Sequence, residues 1–222
     1  MALEVLSSLA LKGVLEKLGA SFEPSLGDTL NLRFDATQAI LPQLAAGTRA
    51  DLVILTLEAI EALQKSGTIT EARTLGSSGV GVAVRAGARK PDIGTLDAFK
   101  HALESAQSVA HSKIGASGLY FAELIERIHI RLKKRVIVEK GPVGLVVARG
   151  EAEIGIQQLC ELAPVPGIDI VGPLPAPVQR VTRFSAGITA TTANARACRT
   201  LLRLLRSGPA RKAMVEGGIE PA

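Results

Sequence analysis

Short apolar runs alternate with amphipathic stretches along almost the whole chain, the pattern of strands followed by helices. Leu3–Leu6 predicts a first strand; Ser7 and Ser8 follow it, and a helical stretch runs from Leu9 to about Leu18. Asn31–Asp35 predicts the next strand, with Thr37 and Gln38 opening a helix through Ala45. Ala50–Leu55 reads as a buried strand, and Thr56 is placed to cap the helix after it. Val80–Arg85 is an apolar strand bounded by glycines, Thr95 caps a helix over Leu96–Ala106, and Ser108–His111 is short and strand-like. Ser117 and Gly118 lead into a helix from Leu119 to about Ile130. Val136–Glu139 predicts a strand, Gly141-Pro142-Val143-Gly144 opens a helix ending near Gly150, and Ile154–Ile156 predicts another strand. The proline-rich section Ala163–Pro177 is too apolar for a free linker and predicts an ordered connection around a strand, Asp169–Val171. Val178–Ile188 is extended, a helix covers Ala193–Ser207, and a last one starts at Pro209, a favourable first-turn position. Alternation of this kind predicts an α/β fold, with a parallel or mixed sheet covered by helices on both faces.

One arrangement recurs four times: a strand ends in small or hydroxyl residues and a helix starts at once. The four places are Ser7-Ser8, Thr37-Gln38, Ser117-Gly118 and Pro142-Val143-Gly144. The first turn of a helix leaves backbone N–H groups unpaired, and the helix dipole adds partial positive charge there. Small residues let a ligand come close, and hydroxyls donate further hydrogen bonds. A set of such helix starts at the carboxyl ends of strands binds an anion without a lysine or arginine in contact. Taken singly, each reads as an ordinary helix cap before it reads as a ligand contact; the case rests on all four lying at carboxyl ends of strands.

Composition narrows the partner. The chain has 222 residues, 47% of them hydrophobic, enough for one domain or two close lobes. Aromatics are only 3%, with no Trp and one Tyr, which argues against a base-stacking surface. The formal net charge is +5, and the dense basic run is Arg127 to Lys140. No reading helix or stacking motif accompanies that charge, so the expectation is a small anion rather than nucleic acid. Charges interrupt every apolar run before membrane-spanning length, so no membrane insertion is expected. Cys160 and Cys198 fit no metal spacing, and His101, His111 and His129 form no zinc pattern. Gly76-Ser77-Ser78-Gly79-Val80-Gly81 precedes a strand rather than opening a helix, so it is no phosphate loop. No metal and no cofactor are expected, and nothing demands a dimer, so a monomer is expected. The N-terminus lacks a basic region followed by an apolar one, which gives a cytoplasmic expectation as written and a periplasmic one for a processed form.

Several segments resemble the molybdate-binding proteins of ABC importers. They are Leu6-Ser7-Ser8-Leu9, Phe34 to Ile40, Leu44 to Val53, Gly115-Ala116-Ser117-Gly118-Leu119-Tyr120, Ala152 to Ile156, and Glu216-Gly217-Gly218-Ile219. The resemblance covers nearly the whole chain. It implies a two-lobed type II periplasmic-binding-protein fold, with mixed sheets, helices on both faces and a two-strand hinge. Lobe one would be residues 1–79 plus 185–222 and lobe two residues 81–183, with the ligand cleft between them. The resemblance places ligand contacts at Ser7 or Ser8, Thr37, Ser117 with Gly118, and Val143, and it implies an ABC permease as a possible partner. One position departs. The family has a tyrosine after the strand equivalent to Gly155-Ile156, and here the chain reads Gln157-Gln158. A carboxamide at Gln158 both donates and accepts, which suits a carboxylate as well as a tetrahedral oxyanion.

The resemblance extends to aconitate isomerase-like members, which move a proton along an allylic tricarboxylate. The leading expectation is a binder of a small oxyanion or carboxylate; the alternative is an isomerase of an unsaturated organic acid. A proton shift needs a base within reach of the substrate carbon. His111 and Glu139, both at strand ends, are the candidates, and Lys113 and Arg183 could hold further carboxylates. A ligand-sensing regulator of the same fold ranks last, since no helix-turn-helix precedes the first strand.

Overall fold

The computed structural model describes residues 2–222. In chain order the elements are β1 (Ala2–Ser8), α1 (Lys12–Leu26), β2 (Thr29–Asp35), α2 (Thr37–Ala45), β3 (Leu52–Thr56), α3 (Leu57–Lys65) and β4 (Ile69–Arg85). There follow α4 (Leu96–Ser105), β5 (Val109–Ser112), α5 (Ala116–Arg127), β6 (Arg135–Val138), α6 (Val143–Ala148), β7 (Ile154–Gln158), α7 (Leu159–Leu162) and β8 (Ile168–Pro173). The last are β9 (Val181–Thr189), α8 (Ala195–Leu204), α9 (Gly208–Glu216) and β10 (Glu220–Pro221). The chain forms two compact units. The first runs from Ala2 through Ser77 and resumes over Thr182–Ala222; the second is the continuous stretch Ser78–Val181.

In the first unit the strand order is β2-β1-β3-β9-β4, with β10 paired to β4. β1 runs parallel to β2 and β3, while β9 lies antiparallel to β3. One face is covered by α2 and α3, packed over Leu6, Ile40, Val53, Leu55 and Ile60. On the other side α1 packs against α8 and α9. There Leu11, Leu15, Leu201 and Met214 are buried.

At the leading end of β3 lies Asp51, 1% exposed, its backbone hydrogen-bonded to Glu4 of β1 and Thr189 of β9. Its Oδ2 accepts from the Glu4 backbone N–H at 2.9 Å. Its Oδ1 accepts from the Thr192 hydroxyl at 2.6 Å and the Asn194 side-chain amide at 3.3 Å. A buried carboxylate without such donors would be expensive, and here the donors tie β1 to the loop before α8. Asp51→Ala leaves the Glu4 N–H unpaired and is expected to cost about 3 kcal/mol. That lowers Tm by roughly 5–10 °C in a thermal melt; an unchanged Tm would show that the tie carries no weight.

In the second unit the order is β4-β7-β5-β6, with β8 on the other side of β4. β5 is parallel to β6 and β7, and β4 is antiparallel to β7 and β8. Phe99, Leu103, Phe121 and Leu124 pack over Val80, Val82 and Ile156 on one face. Val143, Val146 and Val147 pack over Ala110 and Val138 on the other. Among the described residues no helix is long and apolar enough to cross a membrane.

Most predicted elements appear, with shifted ends. The main difference is β4, which starts at Ile69 rather than Val80. Gly76 to Gly79 reads as a break in the apolar pattern, yet this stretch stays extended. It pairs with β10 at Gly76 and Ser77, and a Cβ on Gly76 would meet the Glu220 carbonyl at 2.5 Å. A second difference is α1, which begins after a turn of 3-10 helix over Leu9–Leu11 and runs on past Pro24.

Candidate functional site

All four predicted helix starts follow the carboxyl ends of parallel strands. In the first unit β1 ends in Ser7 and Ser8, and Ser8 stands opposite Asp35, the last residue of β2. Ser7 and Ser8 are buried. The Ser7 hydroxyl donates to the Ser8 carbonyl at 2.9 Å, while the Ser8 Oγ, with Ser8 only 4% exposed, has no partner in the protein. Thr37, also buried, is the first residue of α2. The Asp35 carboxylate already takes the Ala36 N–H at this helix start, at 2.8 Å.

The second unit repeats the arrangement. β5 ends in Ser112, and α5 begins with Ala116, Ser117 and Gly118. No acid lies in the first turn of α5, so nothing of its own opposes an anion there. Gly118 is a packing requirement: a Cβ on it would stand 2.0 Å from the Ser112 carbonyl oxygen and 2.4 Å from the Ser112 Oγ. A Cβ on Gly115 would also meet that Oγ at 2.4 Å. Two glycines let the helix start press onto the strand end, with the Ser112 hydroxyl held between them. That hydroxyl is buried and unpartnered. An orphaned buried hydroxyl costs about 1–3 kcal/mol, and one at a helix start is satisfied by an incoming acceptor. Ser112 is therefore a candidate site residue that the pattern of helix starts alone misses; it is the last residue of β5, three before Gly115.

β7 ends in Gln157 and Gln158, both buried. The Val143 N–H at the start of α6, expected to face a ligand, donates to the Gln157 Oε1 at 2.8 Å. The Gln157 Nε2 in turn donates to the Glu161 carboxylate on α7. Desolvation pushes the Glu161 carboxyl up to about 7, with the Gln157 N–H pulling the other way. Glu161, four residues after Gln157, is the second group that sequence reasoning passed over.

The candidate bases lie differently. His111 is buried with both ring nitrogens engaged. The Arg135 Nε donates to its Nε2 at 2.6 Å, so the Nδ1 carries the proton and donates to the Ser112 carbonyl at 2.9 Å. Its ring stands edge-on to Phe121 at 5.5 Å. Burial and then the Arg135 charge lower its pKa, against the raising effect of the Ser112 carbonyl. Glu139 is exposed and paired with the Lys113 Nζ at 2.9 Å, so the two occupy each other. Arg183 is exposed on β9.

Two α/β units, one built from both ends of the chain and one from its middle, with helix starts at parallel strand ends, define a type II periplasmic-binding-protein fold. The chain belongs to the bacterial extracellular solute-binding proteins, a family that matches residues 3–220. It is 40% identical over 230 residues to an aconitate isomerase from a Pseudomonas species, covering 99% of this chain and 87% of that protein. Its fold is similar to the Azotobacter vinelandii periplasmic molybdate-binding protein, with a TM-score of 0.79 and 18% identity, covering 98% of each chain. It is also similar to the substrate binding protein of an ABC transporter from Agrobacterium tumefaciens, with a TM-score of 0.74 and 15% identity, covering 97% of this chain and 77% of that one. The family resemblance read from the sequence is borne out.

Proposed function

We propose that the protein binds a small polycarboxylate at its strand ends and interconverts the isomers of aconitate by proton transfer. The observation that carries this reading is the 40% identity to an aconitate isomerase through 99% of the chain. Each unit supplies donors for carboxylate oxygens at its own helix starts: the peptide N–H groups of α2 with the hydroxyls of Ser8 and Thr37 in the first, and those of α5 with Ser112 and Ser117 in the second. Gln158 adds a group able to donate or accept.

The reaction breaks one C–H bond at the methylene carbon of the tricarboxylate. The electron pair enters the allylic system, whose bond order evens out and permits rotation, and the proton returns to the former alkene carbon. No net oxidation occurs and no atom is lost. Negative charge grows on the carboxylate conjugated to the allyl system, where helix-start N–H groups stabilise it. The base needs a pKa near the working pH. His111 has no free ring nitrogen and Glu139 is held by Lys113. Glu161, oriented by Gln157 and poised near 7, suits the role.

A second reading, a transport receptor for an oxyanion, is favoured by the fold shared with the molybdate-binding protein. Proton NMR in deuterated buffer separates the two. Conversion of trans- to cis-aconitate with deuterium entering the methylene position is the expected result. No conversion, together with tight molybdate binding in calorimetry, would replace the isomerase by the receptor.

A further inference from the structure

Away from these strand ends, the first unit carries a groove of about 1450 Å³ along α8. The helix has two opposed faces. Cys198, Leu201 and Leu202, with Leu205 just beyond its end, are buried. Arg196, Arg199 and Arg203, with Arg206 past the last turn, all line the groove. Spacings of three, four and three residues keep these side chains on one stripe, about 4.5, 6 and 4.5 Å apart along the axis. Arg73 of β4 joins them, and the opposite wall is the last turn of α1 with Gly27 and Asp28. All five arginines are exposed.

The charge is not cancelled in place. The groove holds five guanidinium groups against two carboxylates, Glu71 and Asp28. Arg199 is committed to Glu71, at 2.5 Å. Arg73 also acts on the Glu71 carboxylate, and the two carboxylates together leave three guanidinium charges in excess. Like charges this close repel and cost stability, unless a polyanion neutralises them. Guanidinium forks bind phosphate oxygens in pairs, and a row of them fits a linear array of such groups.

The lining also says what the occupant lacks. It contains no aromatic side chain, so there is no surface on which a nucleobase stacks. Its leucines, Leu26, Leu202 and Leu204, are buried or half-buried, so no open apolar pocket takes a peptide side chain. The Thr200 hydroxyl sits among the arginines and accepts from the Arg203 Nη2 at 3.1 Å. We infer that the arginine stripe of α8 is a binding site for a linear oligophosphate, distinct from the strand-end site and independent of the reaction proposed above.

Calorimetric titration of the whole protein with sodium tripolyphosphate at low salt tests this, with orthophosphate, citrate and hexaglutamate as comparisons. Tripolyphosphate is expected to bind most tightly and to weaken as salt rises, because exposed charges are screened. The double variant Arg196→Glu, Arg203→Glu is expected to weaken it by about tenfold or more, because two attractive charges become repulsive ones. Arg73→Ala with Arg206→Ala, which only trims exposed side chains, provides a second check should the charge reversal disturb the fold. Ser117→Asp is expected to leave tripolyphosphate binding unchanged, which separates this site from the strand ends. No binding by the wild type, equal binding by both arginine variants, or equally tight binding of citrate or hexaglutamate would each overturn the proposal.

Discussion

Replacing Ser117 with aspartate is expected to weaken binding of aconitate on the order of 100-fold while leaving the fold intact. Ser117 lies in the first turn of α5, only 2% exposed, beside the strand end where the Ser112 hydroxyl has no partner. A carboxylate there faces the unpaired N–H groups and the positive end of the helix dipole, which favours it. The helix is thus not weakened, and the melting temperature should hold. The same carboxylate takes the donors that a ligand would use and repels any ligand carboxylate. A loss of about 3 kcal/mol, on the order of 100-fold in affinity, is expected in calorimetry. Ser117→Ala removes only one hydroxyl, about 1 kcal/mol, and should leave measurable binding. Unchanged affinity in the aspartate variant would mean that the anion sits elsewhere.

The second large effect is on turnover. Glu161→Gln keeps the size and the hydrogen-bonding capacity of the side chain but removes its basicity. Loss of a general base costs on the order of 100-fold or more in rate. Aconitate binding should persist in calorimetry, while deuterium entry at the methylene carbon should fall with the rate. A wild type that does not turn over aconitate rejects the isomerase; an active Glu161→Gln rejects only this base. The pH profile carries the same information. The base works deprotonated, so the rate should rise with pH through about 7 and then level. Stability runs the other way. A carboxyl whose folded pKa is raised stabilises the native state most below its unfolded range near 4.5, and this contribution is lost as pH rises through about 7. The glutamine variant should flatten that part of the stability profile.

The helix starts were legible because their chemistry is local. A strand followed at once by Ser, Thr or Gly needs no knowledge of distant residues, and parallel pairing then places each start at a carboxyl edge. What escaped depends on contacts. The Ser112 hydroxyl stands out because two glycines close around it, and the sequence shows those glycines nearby but not their approach to it. His111 looked like a base because it ends a strand, but Arg135, far along the chain, occupies its second nitrogen. Gln157 rather than Gln158 reaches the start of α6, since the alternation of strand side chains sends neighbouring residues to opposite faces. Glu161 carried no signal of its own, because its character comes from desolvation. The arginine stripe is diluted by the leucines between its members, unlike the denser basic run at Arg127–Lys140.

The order of strands in the first unit bears on how a ribosome must deliver this protein. β9 stands between β3 and β4, yet its residues are made after the whole of the middle unit. Until they emerge, the nascent sheet has a gap at its centre, and the inner edge of β3 offers unsatisfied backbone groups to any neighbouring chain. The middle unit, continuous from Ser78 to Val181, suffers no such delay and can finish first. Premature termination ahead of Phe184 would therefore release one completed half joined to a sticky, unclosed one.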